Sequence, residues 1–313
     1  VPLAAALVPL ALNFTAASRR HGPDATLARD FAWNLLQSVE PYGVLFTFGD
    51  NDTYPVWYAQ EVAGVRQDVV NVNLSLANAA WYLRHVRDVT QRPYDTAAGP
   101  AVYRRGGKPR LPARPVLDFP DSVLDGLTPV RLDRDVVVRA GDLEVPLRRG
   151  DVVGVAQQTT LLILQQELPG GRPVAFGVSS GRGAWAGLES RLLERGLVFQ
   201  VVPARPDTGA AVVVGLQGML VDLARTELLV DSTFRYGRLL AADTLVLDPA
   251  ARQVTTSLAL PYLELGRAYA ERGDRAKAVA HLRRAYLLSP NPSLAAVIAD
   301  LARGAGTGTP GRP

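Results

Sequence analysis

The chain has 313 residues, of which 48% are hydrophobic and 20% are charged, and its formal net charge is +4. This composition is typical of a globular protein with a buried core and excludes a chain that is disordered as a whole. The absence of cysteine excludes disulfides, thiolate metal sites and cysteine nucleophiles. The basic residues, all arginine except Lys108 and Lys277, alternate with acids along the chain, so no basic stripe indicates a nucleic-acid partner.

The first residues, 1–14 (VPLAAALVPLALNF), contain no charge. This run is shorter than the about 20 residues that a membrane-spanning helix needs, and no basic residues precede it as in a signal peptide. We interpret residues 1–14 as the end of a transmembrane helix that begins upstream, which predicts a membrane-anchored protein. A buried element of the domain is the alternative. Arg19, Arg20 and His21 would flank the membrane, and by the positive-inside rule they hint weakly at the cytoplasmic side.

Strands and helices alternate in the next part of the chain. Asp24 is the predicted N-cap of a helix whose apolar stripe runs from Leu27 to Leu36 and places Asn34 among buried residues. The elements that follow are a strand at Val44–Phe48, a helix at Tyr54–Val62, a strand at Asp68–Asn73 and a helix at about Leu76–Val89. This alternation predicts an α/β fold with a doubly wound, mostly parallel sheet in three layers.

An insertion at about 91–150 interrupts the alternation. Its first part, Gln91–Arg131, is rich in Pro, Gly and Arg, and Asp135–Leu147 has the pattern of a β-hairpin. The α/β pattern then resumes. We predict a helix capped by Asp151 and ending near Leu168, a strand at Pro173–Val178, a helix at Trp185–Arg195 and a strand at Leu197–Val202.

Residues 249–304 have the character of paired helices. Tyr262, Leu265, Gly266 and Tyr269, followed by Ala278, Leu282, Ala285 and Pro290, match the tetratricopeptide pattern. Gly266 and Ala278 are small where two such helices cross, and Gly273–Asp274 is the predicted turn. One repeat cannot bury its own apolar face, so the pair should pack on the α/β domain (15–248), on the next helix or on a partner. Residues 305–313 are a predicted disordered tail.

Asp50, Asn51 and Asp52 follow the first strand at its carboxyl end, where open α/β sheets bind ligands. With Thr53, and with Asp30 in the preceding helix, they are our candidate ligand-binding residues. Two carboxylates and an amide suit a divalent cation at Asp50 and Asp52, or sugar hydroxyls. The alternative is structural: Asp52 caps the helix and Asp50 stabilises the turn.

Gly177-Val178-Ser179-Ser180-Gly181 fits the G-x-S-x-G pattern of serine hydrolases, with Ser179 as the nucleophile. A hydrolase needs a histidine base downstream, and His281, inside the tetratricopeptide-like pair, is the one that qualifies. Five residues are weak evidence in a chain with 28 glycines. The hydrolase is therefore the less favoured hypothesis.

Three stretches resemble one family: residues 28–36 (ARDFAWNLL), 44–61 (VLFTFGDNDTYPVWYAQE) and 69–76 (VVNVNLSL) are similar to the post-membrane region of protein O-mannosyltransferase-like membrane glycosyltransferases. Residues 174–179 and the terminal helices are similar in order and character. The resemblance implies a polytopic enzyme that transfers a sugar from a polyprenyl-phosphate donor. It also implies that the catalytic carboxylates lie in a membrane half absent from this chain, and that this domain is extracytoplasmic.

We therefore expect an accessory, acceptor-handling domain of such an enzyme, with no catalytic residue on this chain. Its expected partners are the membrane, its own transmembrane half and a protein or glycan acceptor. An interaction module that uses the tetratricopeptide-like helices is the alternative.

Overall fold

The computed structural model describes residues 2–17, 26–97, 99–103, 110–241 and 247–305. The α-helices of these residues are α1 (Pro2–Ala17), α2 (Leu27–Ser38), α3 (Asp50–Trp57), α4 (Ala80–Asp88), α5 (Asp121–Asp125), α6 (Val155–Glu167), α7 (Leu223–Ser232), α8 (Pro249–Glu271), α9 (Arg275–Leu288) and α10 (Pro292–Ala305). The strands are β1 (Val44–Thr47), β2 (Val70–Asn73), β3 (Val130–Arg131), β4 (Val136–Ala140), β5 (Leu143–Leu147), β6 (Val152–Val153), β7 (Val174–Gly177), β8 (Leu192–Arg195), β9 (Val198–Val201), β10 (Val212–Val214) and β11 (Leu220–Asp222).

The main sheet is mixed and has the strand order β10-β11-β8-β9-β7-β1-β2. β1 pairs in parallel with both β2 and β7, and β11 pairs in parallel with β8. β9 is antiparallel to β7 and to β8, and β10 is antiparallel to β11. The molecule is therefore a mixed α/β protein, and the predicted parallel pairing is limited to part of the sheet.

The helix predicted at Trp185–Arg195 is wrong. That stretch follows a short 3₁₀ turn at Arg182–Ala184, contains a second one at Glu189–Arg191 and ends in the strand β8. Only Gly196 and Leu197 separate β8 from β9, and Gly196 has a left-handed backbone (φ 64°). A two-residue connection joins antiparallel strands, whereas a parallel pair needs a long crossover. This hairpin is the reason that the sheet changes direction after β7.

Alternate residues of β1 contribute to two apolar clusters, one on each face of the sheet. Val44 and Phe46 pack with side chains of α4 and α6. Leu45 packs with side chains of α2, α3, α8 and α9. Successive strand residues point to opposite faces, and this explains why β1 is buried along its whole length.

The N-cap residues of α2 and α6 are Thr26 and Gly154, whereas Asp24 and Asp151 were predicted. α2 begins at Leu27 with Thr26 at its N-cap, and Asp24 lies outside the described residues. Asp151 does not cap α6, because β6 follows it and the N-cap residue is Gly154. The Asp151 carboxylate instead accepts a hydrogen bond from the Arg148 N–H at 2.7 Å. The predicted hairpin is confirmed as β4 and β5.

α8, α9 and α10 follow one another at the end of the described chain. A Cβ atom on Gly266 would lie 2.5 Å from Leu282, so α8 and α9 pack closely at this glycine, as predicted. Gly273 (φ 79°) and Asp274, which caps α9 through the Lys277 N–H, form the turn. A tetratricopeptide-like repeat and the domain limits 15–248 and 249–304 stay predictions. The predicted tail falls outside the described residues after Ala305.

Five apolar side chains of α1 are exposed: Leu7, Val8, Leu10, Leu12 and Phe14. Within the described ranges, no helix combines the length and the apolar character needed to cross a membrane. The transmembrane interpretation of residues 1–14 stays a prediction.

A buried guanidinium connects α2 to β2. Arg66, which has a left-handed backbone (φ 48°), forms a two-point ion pair with Asp68 at 2.8 and 2.9 Å. Its NH1 group also donates to the carbonyl oxygens of Leu36 and Val39, at 2.8 and 2.9 Å. These carbonyls lie at the C-terminal end of α2, where the helix leaves its last carbonyls short of donors; Leu36 also accepts the Val39 N–H at 3.2 Å.

We expect Arg66→Ala to lower the free energy of unfolding by about 3–5 kcal/mol, because it leaves the buried Asp68 charge without its ion-pair partner and removes a donor from the carbonyls of Leu36 and Val39. Urea unfolding at pH 7 would measure this. Arg131→Ala removes an exposed guanidinium bonded to the Gly150 carbonyl and should change stability by less than about 0.5 kcal/mol. Equal effects of the two substitutions would contradict this account of the ion pair.

A buried carboxyl group on β8 makes the stability of the fold depend on pH. Glu194 on β8 is 1% exposed, and its Oε1 atom has no hydrogen-bond partner among the described residues. Burial raises the pKa of the Glu194 carboxyl well above its ordinary value, and the nearby charge of Glu264 raises it further. Since the pKa is raised on folding, the unfolded chain loses this proton first, and stability falls as the pH rises.

We expect Glu194→Gln to raise the free energy of unfolding at pH 8 and to leave it nearly unchanged at pH 4, near the unfolded pKa. Each unit by which folding raises the pKa contributes about 1.4 kcal/mol to the difference at alkaline pH. Urea unfolding across this pH range tests it. The exposed residue Glu61 provides a control, Glu61→Gln, which should change little at either pH. A Glu194→Gln effect that is independent of pH would refute the burial argument.

Candidate functional site

The carboxyl ends of β1, β2 and β7 lie side by side at one edge of the sheet. From β1 the chain enters α3, which packs on one face, whereas from β2 it continues to α4 on the other face. Neighbouring parallel strands whose connections leave toward opposite faces form a crevice between them, the place where open α/β sheets bind ligands.

Asp52, on the first turn of α3, is 1% exposed, and hydrogen bonds surround its carboxylate. Oδ2 accepts from the Phe48 N–H at 3.1 Å and from the Ser179 hydroxyl at 2.6 Å. Oδ1 accepts from the Gly49 N–H at 3.0 Å and lies 3.1 Å from Thr53 Oγ1. Asp52 therefore closes the turn before α3, which is the structural alternative given for it above.

A second network joins the ends of β1 and β2. Thr53 Oγ1 accepts from the Asn73 amide at 2.8 Å and lies 2.9 Å from Thr47 Oγ1. Asn73 Oδ1 accepts from the Leu76 N–H at 2.9 Å, and the Asn73 N–H donates to Tyr82 Oη at 2.7 Å. Burial raises the pKa of Tyr82 to about 12, so its hydroxyl stays protonated at neutral pH. Thr53 and Asn73 thus position the two loops that border the crevice.

The other predicted residues differ in their surroundings. Asp50 is exposed and makes no hydrogen bond with the described residues. The Asn51 amide, also exposed, donates to Gln253 Oε1 on α8 at 3.3 Å. Asp30 is buried at the start of α2, where it accepts from the Thr26 hydroxyl at 2.5 Å and makes no hydrogen bond with residues 50–53. The structure therefore brings Asp50–Thr53 together at the edge, without Asp30.

Among the described residues, no set of metal ligands gathers around Asp50 and Asp52. The four contacts of Asp52 occupy the positions that a carboxylate offers to a metal. In the ranges described, no three His, Asp or Glu side chains gather in a way that would hold a metal ion. Asp50 remains as a single exposed carboxylate.

Ser179 lies directly after β7, as the sequence pattern requires, but its hydroxyl donates to Asp52. His281 stacks on Tyr269 with 5.6 Å between ring centroids, and its Nε2 lies 3.9 Å from Glu227 Oε1. Burial lowers the pKa of His281. A triad needs an imidazole hydrogen-bonded to the serine, and no such bond exists between Ser179 and either described histidine.

Beside the Asp52 network is an open cavity of about 500 Å³. Four segments line it: Phe48 after β1, residues of the turn Leu74–Asn78 after β2, the first turns of α6 and the loop Arg182–Gly187. We call it the edge cavity. None of the predicted site residues lines the edge cavity, although Asp50–Thr53 follow Phe48 directly. The sequence analysis missed Gln157 and Arg182, which come from distant parts of the chain.

Exposed aromatic side chains lie near the same edge of the sheet. Phe48, which is 48% exposed, lines the edge cavity, and Tyr54 and Trp81 on the first turns of α3 and α4 are also exposed. An aromatic ring offers an apolar face on which a flat organic ligand can pack.

A larger cavity, about 800 Å³, lies near the amino ends of the strands. Two of its charge pairs are already formed: the buried Arg172 with Glu167 at 3.2 Å, and the half-buried Arg225 with Glu40 at 2.5 Å. The edge cavity is the better candidate, because its position follows from the strand order and its lining includes Gln157, whose side chain makes no hydrogen bond with the described residues.

Asp50 and Asp52 give a matched test of capping against ligand binding. We expect Asp52→Asn to lower the free energy of unfolding by about 1–3 kcal/mol, because an amide cannot accept both backbone N–H groups and the Ser179 hydroxyl. Asp50→Asn should change stability by less than about 0.5 kcal/mol, since its carboxylate is exposed and unpaired. Thermal and urea unfolding distinguish the two; equal stability of both variants would rule out the capping role.

A family model described as TMEM260-associated domain 2 matches residues 28–109. The matched part includes α2, β1, α3, β2 and α4, and so it includes both loops that border the crevice on the β1 and β2 side. No curated protein and no solved structure matches the chain.

Proposed function

We propose that this chain is an accessory, acceptor-handling region of a polytopic, protein O-mannosyltransferase-like membrane glycosyltransferase. The main support is the edge cavity, which lies at the crevice between β1 and β2 and combines an aromatic wall with amide and hydroxyl groups. A saccharide has an apolar face of C–H groups and a rim of hydroxyls, and these two features suit such a lining. The family match to residues 28–109 agrees with this proposal.

A membrane location for the chain is part of the proposal. The exposed apolar side chains of α1, among them Leu10, Leu12 and Phe14, support it, because a helix that is apolar all round is stable only when it is buried in protein or in lipid. We place the remaining domain on the extracytoplasmic side, next to the enzyme's transmembrane half. Sugar transfer itself would occur in that half, and the present chain would hold the acceptor.

The second candidate is a protein-interaction role for the tetratricopeptide-like terminal helices. It is favoured by exposed apolar side chains on α9 and α10, where Leu287 and Val297 are 41% and 49% exposed. A partner protein would cover such side chains. This role and acceptor handling use different surfaces, so they can be tested separately.

Sugar transfer by the enzyme that contains this chain tests the proposal. We expect Phe48→Ala to raise the KM for the acceptor by about tenfold, since removing the aromatic wall costs on the order of 1 kcal/mol, with little change in kcat. Tyr58→Ala removes an exposed aromatic that does not line the cavity and serves as the control. If deletion of residues 26–305 leaves transfer intact, the proposal is wrong; an effect of Leu287→Ala alone would favour the second candidate.

A further inference from the structure

We infer that the edge cavity selects a saccharide that bears a negative charge, a carboxylate or a phosphate, and that Arg182 is the residue that recognises this charge. The inference rests on the proposed function, because it names the class of glycan that the same cavity would hold. Three observations on the cavity wall support it: the charge of Arg182, the contacts of its side chain, and glycines that leave the backbone accessible.

The described side chains that line the edge cavity carry positive charge and no negative charge. Arg182 is the single ionisable side chain among the described residues that line the edge cavity, and no carboxylate lies among them. In the larger cavity, by contrast, the buried Arg172 and the half-buried Arg225 are each paired with a glutamate. The positive charge of Arg182 is thus without an acidic partner in the cavity, and an anionic ligand would provide one.

Contacts with neighbouring residues hold the Arg182 side chain in place. Its NH2 group donates to the Gln217 carbonyl oxygen at 2.7 Å, and its guanidinium carbon lies 5.9 Å from the centre of the Trp185 ring. Trp185 is itself fully buried and donates to the Ser180 hydroxyl at 3.1 Å. These contacts leave the Nε and NH1 groups for a ligand, and a planar guanidinium suits the paired oxygens of a carboxylate or phosphate.

The opposite wall and the floor of the cavity add neutral donors. Gln157, half-buried on the first turn of α6, makes no side-chain hydrogen bond with the described residues, so its amide is free to bind. The same turn presents the positive end of the α6 dipole, which adds to the effect of Arg182. A Cβ atom on Gly183 or Gly187 would meet nothing within 4 Å, so a ligand can approach the backbone there.

The test compares three sugars with one ring: glucose, glucuronic acid and glucose 6-phosphate. Binding is measured by ligand-observed NMR at low salt, where an exposed charge is least screened. We expect at least one of the two acids to bind about tenfold more tightly than glucose. The carboxylate and phosphate arms show which oxyanion the cavity prefers. Glucose that binds as tightly as both acids would overturn the inference and leave the acceptor-handling proposal standing.

Two variants assign the effect to Arg182. Arg182→Gln should reduce the binding of the preferred acid to the level of glucose without changing glucose itself, and Arg182→Lys should restore part of it. Arg191→Gln is the matched control, because Arg191 also donates to one carbonyl oxygen, that of Pro203, but does not line the cavity. Unchanged acid binding in a folded Arg182→Gln variant would overturn the inference, and so would failure of all three sugars to bind. The acceptor-handling proposal is judged independently, by the transfer assay with Phe48→Ala.

Discussion

The Arg66–Asp68 ion pair determines how the first strands of the sheet are placed. Arg66 binds the last carbonyls of α2, and Asp68 accepts the Tyr42 N–H at 2.9 Å just before β1 begins. Both charges are buried, so the pair is stable only while these hydrogen bonds are complete. The relative position of α2, β1 and β2 follows from this requirement. Because β1 and β2 are placed in this way, the loops at their carboxyl ends, where Asp52 and Asn73 lie, are positioned as well.

Local sequence patterns were sufficient to predict the strands that are buried on both faces. β1 and β7 appear in the sequence as short apolar runs, which is typical of central parallel strands, whereas the edge strand β2 alternates Val and Asn. The pattern failed for residues 185–195, where apolar and charged residues alternate in a way that suits a helix or a strand. The hairpin after this stretch depends on Gly196, since a side chain at that position would meet Ser38 and Leu229. Those contacts come from other parts of the fold and are invisible in a local window.

The candidate site was predictable in position but not in detail. The strand ends placed Asp50–Thr53 at the ligand-binding edge of the sheet. Whether Asp52 binds a ligand or caps α3 depends on Ser179, which is 127 residues away in sequence. Gln157 and Arg182 reach the same cavity from α6 and from the loop after β7. Such combinations depend on tertiary packing, which a single sequence without relatives does not reveal.

The two ends of the segment between Tyr94 and Tyr103 are fastened to the core, and this has a consequence for how the chain can diverge. The Tyr94 N–H donates to Tyr42 Oη, and the Tyr103 hydroxyl donates to the Ser38 carbonyl at 2.7 Å. Both attachments lie on the side of the sheet remote from the edge cavity. Doubling the length of a loop whose two ends are held in this way lowers the free energy of unfolding by only about 0.6 kcal/mol. The exposed residues 95–97 of this segment are therefore a permissive place for evolution, or for an experimenter, to insert a reporter or a whole module.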